Sequence, residues 1–119
     1  MWFSLILNDK NYIFKSFYDD ETFSVYCSDF ENIWVENLKT NDICNRFQLL
    51  NNVEMPAAKL KAKLHSLFYE NRDGCNFILQ SDENQALNVK LRTKFSSKDI
   101  EMDFKLKKET TICVRKIYR

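Results

Sequence analysis

The sequence predicts an α+β fold that is mainly β. Three observations carry this. Residues 87–106 alternate apolar and polar side chains along both arms of a hairpin. Residues 2–27 divide into three short, aromatic-rich runs separated by polar turns. Between these two regions, residues 29–68 carry apolar side chains at helical spacing. With 119 residues the chain bounds itself to one domain with a single core.

The first strand is Trp2 to Leu7. Met1 to Leu7 is apolar, but it lacks a basic leader and breaks at once into Asn8-Asp9-Lys10, which reads as a turn and not as a signal peptide. Tyr12 to Tyr18 is the second strand, and Asp19-Asp20-Glu21 is the next turn. Thr22 to Cys27 is the third, with Phe23, Val25 and Cys27 on one face. Short connections make the three an antiparallel meander. The chain holds one Gly and one Pro, so Asn, Asp and Ser must build most of the turns.

After Cys27 the spacing predicts a helix from about Asp29 to Leu38. Ser28 and Glu31 have the spacing of a capping box, and Asp29 suits the positive end of the helix dipole. Phe30, Ile33, Trp34 and Leu38 would form its apolar face against the preceding strand. Thr40 or Asn41 then caps a second helix through Ile43, Phe47 and Leu50. Asn51-Asn52-Val53-Glu54 is a loop, and Pro56 opens a third helix. Its stripe is Ala57, Leu60, Leu64, Leu67 and Phe68, with Lys59, Lys61 and Lys63 expected in water. Asn71-Arg72-Asp73-Gly74 ends the helical block.

Cys75 to Gln80 is a strand, followed by a turn at Ser81-Asp82-Glu83-Asn84. In the hairpin, Leu87, Val89, Leu91, Thr93 and Phe95 share one face, as do Ile100, Met102, Phe104 and Leu106. The expected register sets Phe95 against Ile100, Thr93 against Met102 and Leu91 against Phe104. It pairs Lys94 with Glu101 and Arg92 with Asp103 on the wet face. From Glu109 the pattern changes. Thr110 or Thr111 could cap a helix carrying Ile112, Val114 and Ile117, which reads as the truncated start of a longer helix over 109–119.

Composition excludes more than it selects. The net charge of +1 gives no field that calls for nucleic acid. Lys105, Lys107, Lys108, Arg115, Lys116 and Arg119 read as a solvated helix start and not as a phosphate track. Aromatics interleaved with lysines resemble a base-stacking platform, but the core needs the aromatic face. Cys27, Cys44, Cys75 and Cys113 form no C-x-x-C pair, so free thiols of an intracellular protein are expected, with no structural metal. His65 is the only histidine, and no nucleotide-binding loop, zinc-protease motif or nucleophile elbow occurs. No cofactor is expected, no stretch approaches a membrane span, and no enzyme is read.

The order of elements resembles the globular head of the XRCC-type non-homologous end-joining scaffolds, of the XLF (Cernunnos) kind. Phe23 through Trp34 is similar to the family's strand, Ser-Asp-Leu and helical Trp. Trp2, Leu5 and Phe17 fall at matching distances upstream. Pro56-Ala57-Ala58 with Leu60, Leu64 and Leu67 looks like its Pro-Ala-Ala helix, and Ala86 through Phe104 runs parallel to its last hairpin.

The resemblance implies a small antiparallel β-sandwich head over 1–108 with a helical insertion, and the start of a coiled-coil stalk over 109–119. It implies a non-enzymatic, nuclear scaffold in double-strand-break repair that promotes end bridging and ligation. Its partners would be the ligase-associated XRCC-type scaffold head, met head to head, and a second copy through the missing stalk. DNA ends and Ku would be met mainly by regions beyond this chain, and no membrane is involved. The family's hairpin-tip leucine corresponds to Lys98, between Ser97 and Asp99, and its Arg-Leu loop pair to Asn51-Asn52. A lysine cannot serve as a buried apolar plug unless it is paired. Either other contacts, such as Ile100 or Val53, then supply the interface, or the partner is not bound in the same way. The interface is therefore expected among Asn51, Asn52, Val53, Ser97, Lys98, Asp99 and Ile100. A related centriolar coiled-coil assembly head is the alternative.

Overall fold

The computed structural model describes residues 3–7, 9–69, 75–81, 86–95 and 98–109. Seven strands and two helices follow in the order β1 (Phe3–Leu7), β2 (Lys10–Tyr18), β3 (Thr22–Ser28), β4 (Ile33–Lys39), α1 (Thr40–Asn51), α2 (Ala57–Tyr69), β5 (Asn76–Ser81), β6 (Leu87–Phe95) and β7 (Lys98–Lys108). The strands form one antiparallel sheet in the order β1-β2-β3-β4-β7-β6-β5. It is nearly two sheets. β4 and β7 pair only at Trp34↔Lys108 and Val35↔Lys107. About this narrow seam the halves curl toward each other, and the two helices close the open side. The result is the α+β, mainly β architecture of a sandwich head with a helical insertion.

The core lies between the halves. Phe14, Phe23, Val25 and Cys27 face it from the meander, and Leu87, Val89, Leu91, Met102, Phe104 and Leu106 face it from the hairpin. Phe23 and Phe104 stack across the gap at 6.0 Å between ring centroids. Phe68 of α2 touches the rings of Phe14 (5.9 Å), Phe77 (5.9 Å) and Phe104 (5.5 Å), so one side chain bridges both halves. Ile43 and Phe47 of α1 and Leu60, Leu64 and Phe68 of α2 are buried at helical spacing, as their stripes predict. Each such fully buried side chain contributes about 1.5–3 kcal/mol of transfer free energy.

The helix expected over 29–38 is a strand. Ser28 Oγ accepts from Phe30 N at 3.0 Å and does not form the expected capping box. Asp29 Oδ1 accepts from Glu31 N (3.0 Å) and Asn32 N (2.7 Å), which closes a four-residue loop between β3 and β4. Phe30 adopts φ 77° in this loop and is 62% exposed. Its ring is therefore not laid against β3. β4 then pairs with β3 along its whole length, from Ser28↔Ile33 to Thr22↔Lys39. Trp34 lies beside Cys27 and Leu38 beside Phe23, on the core face. Ile33 and Val35 take the opposite face and are buried too. A strand buried on both faces shows no alternation, and its apolar residues happened to match a helical stripe.

Two further expectations change. The β6–β7 register is two residues tighter, with Phe95↔Lys98, Lys94↔Asp99, Arg92↔Glu101, Leu91↔Met102 and Val89↔Phe104. Only Ser96 and Ser97 then separate the arms, the loop length that best suits strand twist. A shift of two keeps every side chain on its expected face. Thr40, expected as a helix cap, instead sends its hydroxyl to Asp20 O at 3.1 Å, and Lys39 holds the cap position without a side-chain bond. The expected stalk start beyond Glu109 lies outside the described residues.

Candidate protein-interaction surface

Where β7 parts from β4, its edge is left without a strand partner, and side chains take that role. Lys105 N donates to Glu36 Oε1 at 2.9 Å. Asp103 O accepts from Arg46 Nη1 at 3.0 Å. Glu101 N donates to Asn51 Oδ1 (2.7 Å), and Glu101 O accepts from Asn51 Nδ2 (2.8 Å). Alternate residues 101, 103 and 105 thus each find a side-chain partner for at least one peptide group, at the period of an antiparallel edge. Arg46 also grips Glu36 with both nitrogens, at 2.8 and 3.2 Å. In this way α1 is fastened along β7 and covers part of its edge.

This fastening places the two sequence-predicted segments side by side. Asn51 and the residue after Ile100 are hydrogen-bonded, so the loop after α1 adjoins the first part of β7. Within the pair of segments the roles differ. Asn51 spends its amide on Glu101 and on Phe47 O (2.9 Å). Asn52 ends α1 in the left-handed region at φ 55° and is exposed. Val53 is half-buried against the core, and Ile100 is buried in it. Lys98 and Asp99 are exposed, with Asp99 4.0 Å from Lys94. Ser97 lies outside the described residues. The sequence reading missed Glu36 and Arg46, whose partners stand ten and more residues away. It also missed Leu49, which is 87% exposed. Its signal was present, because Leu49 falls off the Ile43–Phe47 stripe.

The titratable groups inside the head serve the fold. Lys61, expected in water, is buried. Its Nζ donates to Asp19 O (2.6 Å), Asp20 O (3.2 Å) and Thr40 Oγ1 (3.1 Å), tying α2 to the β2–β3 turn and to the start of α1. All three ammonium donors are used. Ser16 Oγ and His65 Nδ1 lie 2.7 Å apart, with the hydroxyl buried, which joins β2 to α2. Burial holds the His65 pKa below its ordinary value. Cys27, Cys44 and Cys75 are free thiols. Burial raises the Cys27 pKa strongly and pushes the Cys75 thiol up to about 11, so both are poor nucleophiles at neutral pH. Among the described residues no group of three or more His, Cys, Asp or Glu side chains gathers to hold a metal ion. No helix there is long and apolar enough to cross a membrane.

Fold and surface define a class: a small α+β head whose curled antiparallel sheet is closed by two helices, with its free polar chemistry on the outside. The family model of the XLF N-terminal domain matches residues 1–108, and the chain belongs to that family. It is a non-enzymatic scaffold head domain of the kind used in non-homologous end joining, where its work is protein–protein interaction. The crystal structure of the head domain of human CCDC61 is similar in fold, with a TM-score of 0.75 over 92% of this chain and 99% of that one. At 8% identity this likeness concerns the fold alone. No curated protein matches the sequence.

Proposed function

We propose that this head docks onto the head of a ligase-associated XRCC-type scaffold, and that the contact lies at the loop after α1 and the tip of the β6–β7 hairpin. The observation that supports it is the adjacency of these two segments, fixed by Asn51 on Glu101, in a chain of the XLF family. Asn52, Val53, Ser97, Lys98 and Asp99 are its contact residues, with Asn51 and Ile100 anchoring them from beneath. The exposed Lys98 and Asp99 make a polar contact where the family has an apolar plug. The stalk begins over 109–119 and pairs two chains. The protein works in the nucleus, and its contacts with Ku and DNA ends lie beyond this chain.

Titration calorimetry against the ligase-associated head from the same organism tests the reading. Lys98→Glu and Asp99→Lys are exposed changes that leave the core intact. Binding that either variant weakens, on the order of tenfold for a reversed rim charge, supports the proposal. Binding unaffected by both variants, or no binding by the unaltered head, overturns it.

A further inference from the structure

A groove of about 670 Å³ runs between α1 and the outer face of β5, β6 and β7, lined in part by Arg46, Leu49, Leu50, Ile78, Lys90 and Lys105. Its apolar floor is open to water, since Leu49 is 87% exposed and Leu50 and Ile78 are each 38% exposed. Arg46 is neutralised by Glu36, but Lys90 and Lys105 form no ion pair among the described residues. Asp103 stands opposite Lys90 in the ladder, and its buried Oδ1 has no hydrogen-bond partner. The groove therefore combines apolar surface, two unpaired ammonium groups and one acceptor that lacks a donor.

The complementary surface lies at the other end of α1. The β2–β3 turn presents Asp19, Asp20 and Glu21, all exposed, directly after Phe17 and Tyr18, which are 49% and 43% exposed. This acidic turn is preformed. Asp19 Oδ1 accepts from Glu21 N and Thr22 N at 2.8 Å each, and Lys61 holds the carbonyls of Asp19 and Asp20 from below. Glu21 O accepts from Thr40 N at 2.8 Å, which fixes the turn to the first residue of α1. The groove lies along the second half of that helix. At a rise of about 1.5 Å per residue the two surfaces are separated by roughly one helix length, and they do not overlap.

We propose that the acidic turn of one copy docks into the basic groove of the next, so that heads associate in a row. Asp20 and Glu21 meet Lys90 and Lys105, Phe17 or Tyr18 at the end of β2 covers Leu49 and Ile78, and the incoming chain supplies a donor to Asp103. Two different surfaces make the contact heterologous, so it adds head to head in a row, as an open chain or a ring according to the rotation between copies, and does not stop at a two-fold dimer. Exposed charges give such a contact modest strength and marked salt sensitivity. This inference stands apart from partner docking at the hairpin tip, and either can fail without the other.

Sedimentation equilibrium of the 119-residue chain reads it out, with Lys90→Glu/Lys105→Glu and Asp20→Lys/Glu21→Lys double variants alongside. The unaltered chain is expected to gain average mass with concentration at low salt and to lose that gain at high salt. Each double variant alone is expected to associate on the order of tenfold or more weakly, because like charges then face each other. An equal mixture of the two variants regains association, since each reversed groove then meets a reversed turn. Circular dichroism confirms that the variants keep the fold. A chain that stays monomeric at every concentration overturns the proposal. So does association that neither double variant weakens, or a mixture that stays as weak as its components.

Discussion

Asn51 performs the task of a strand residue without being in a strand. Its amide carries one acceptor and two donors, and it offers the peptide group of Glu101 both an acceptor and a donor. Among the short side chains only an amide does this from two separate atoms, spaced to meet an N–H and a carbonyl at once. Asn51→Ala leaves an N–H and a carbonyl of β7 without partners, and an unsatisfied buried group costs about 1–3 kcal/mol. We expect Asn51→Ala to lose roughly 2 kcal/mol in urea denaturation, with an unchanged dependence on denaturant. Asn51→Asp should recover only part of this, because the carboxylate still accepts from Glu101 N but turns a second oxygen toward two carbonyls. An unchanged midpoint for Asn51→Ala would show that water replaces the amide at no cost. Neither Asn51 nor Lys61 was legible from the sequence as a structural residue. Asn51 sits in a polar loop run and Lys61 in a lysine-rich helix, and their partners stand about 40 to 50 residues away along the chain. Burial of this kind depends on which turn the fold brings overhead, and residue type alone does not encode it.

Elements were legible where one face is buried and the other is wet. α1, α2 and the arms of the terminal hairpin have this character, and each appears where its periodicity predicts it. β4 does not, because Ile33 and Val35 are buried on one face while Trp34 and Leu38 pack on the other. The decision between helix and strand there falls to the four-residue loop that precedes it. Ser28 and Asp29 bond to the N–H groups of residues 30, 31 and 32 in a tight turn, where a helix would have used the same oxygens as caps. That turn forces Phe30 to positive φ, which costs a bulky residue about 1 kcal/mol and a glycine nothing. Phe30→Gly removes this strain and gives up little packing, although it loosens the unfolded chain. The expected result is a stability unchanged or raised by up to about 1 kcal/mol, measured by thermal or urea unfolding. A loss of more than 1 kcal/mol would mean that the exposed ring is covered in solution, by a neighbouring segment or by a second molecule. The hairpin register was misplaced by two residues for a related reason. Face alternation fixes parity only, and turn length has to fix the rest.

At the scale of the whole molecule, cooperativity rests on few backbone links, because the two halves of the sheet share only two residue pairs at the β4–β7 seam. The seam is reinforced by Glu109 N bonded to Ile33 O at 2.7 Å and by the side chains that fasten α1 to β7. The main clamp is aromatic. Phe68 reaches from α2 to Phe14 on one half and to Phe77 and Phe104 on the other. Phe68→Ala should therefore remove about 3–5 kcal/mol, a large part of the stability of a domain this size. Cys27 reports whether that loss is global or local. It is fully buried on the core face of β3, and burial raises its thiol pKa strongly, so a thiol reagent reaches it only through opening. If the halves part only when the whole head unfolds, Phe68→Ala should speed Cys27 labelling by the factor that urea unfolding gives, more than about a hundredfold for ~3 kcal/mol. Labelling of Cys27 that is faster than global unfolding allows, and that barely responds to Phe68→Ala, would place the opening at the seam itself. The head would then be two sheets hinged along β4, with the core exposed by a motion that leaves each sheet intact.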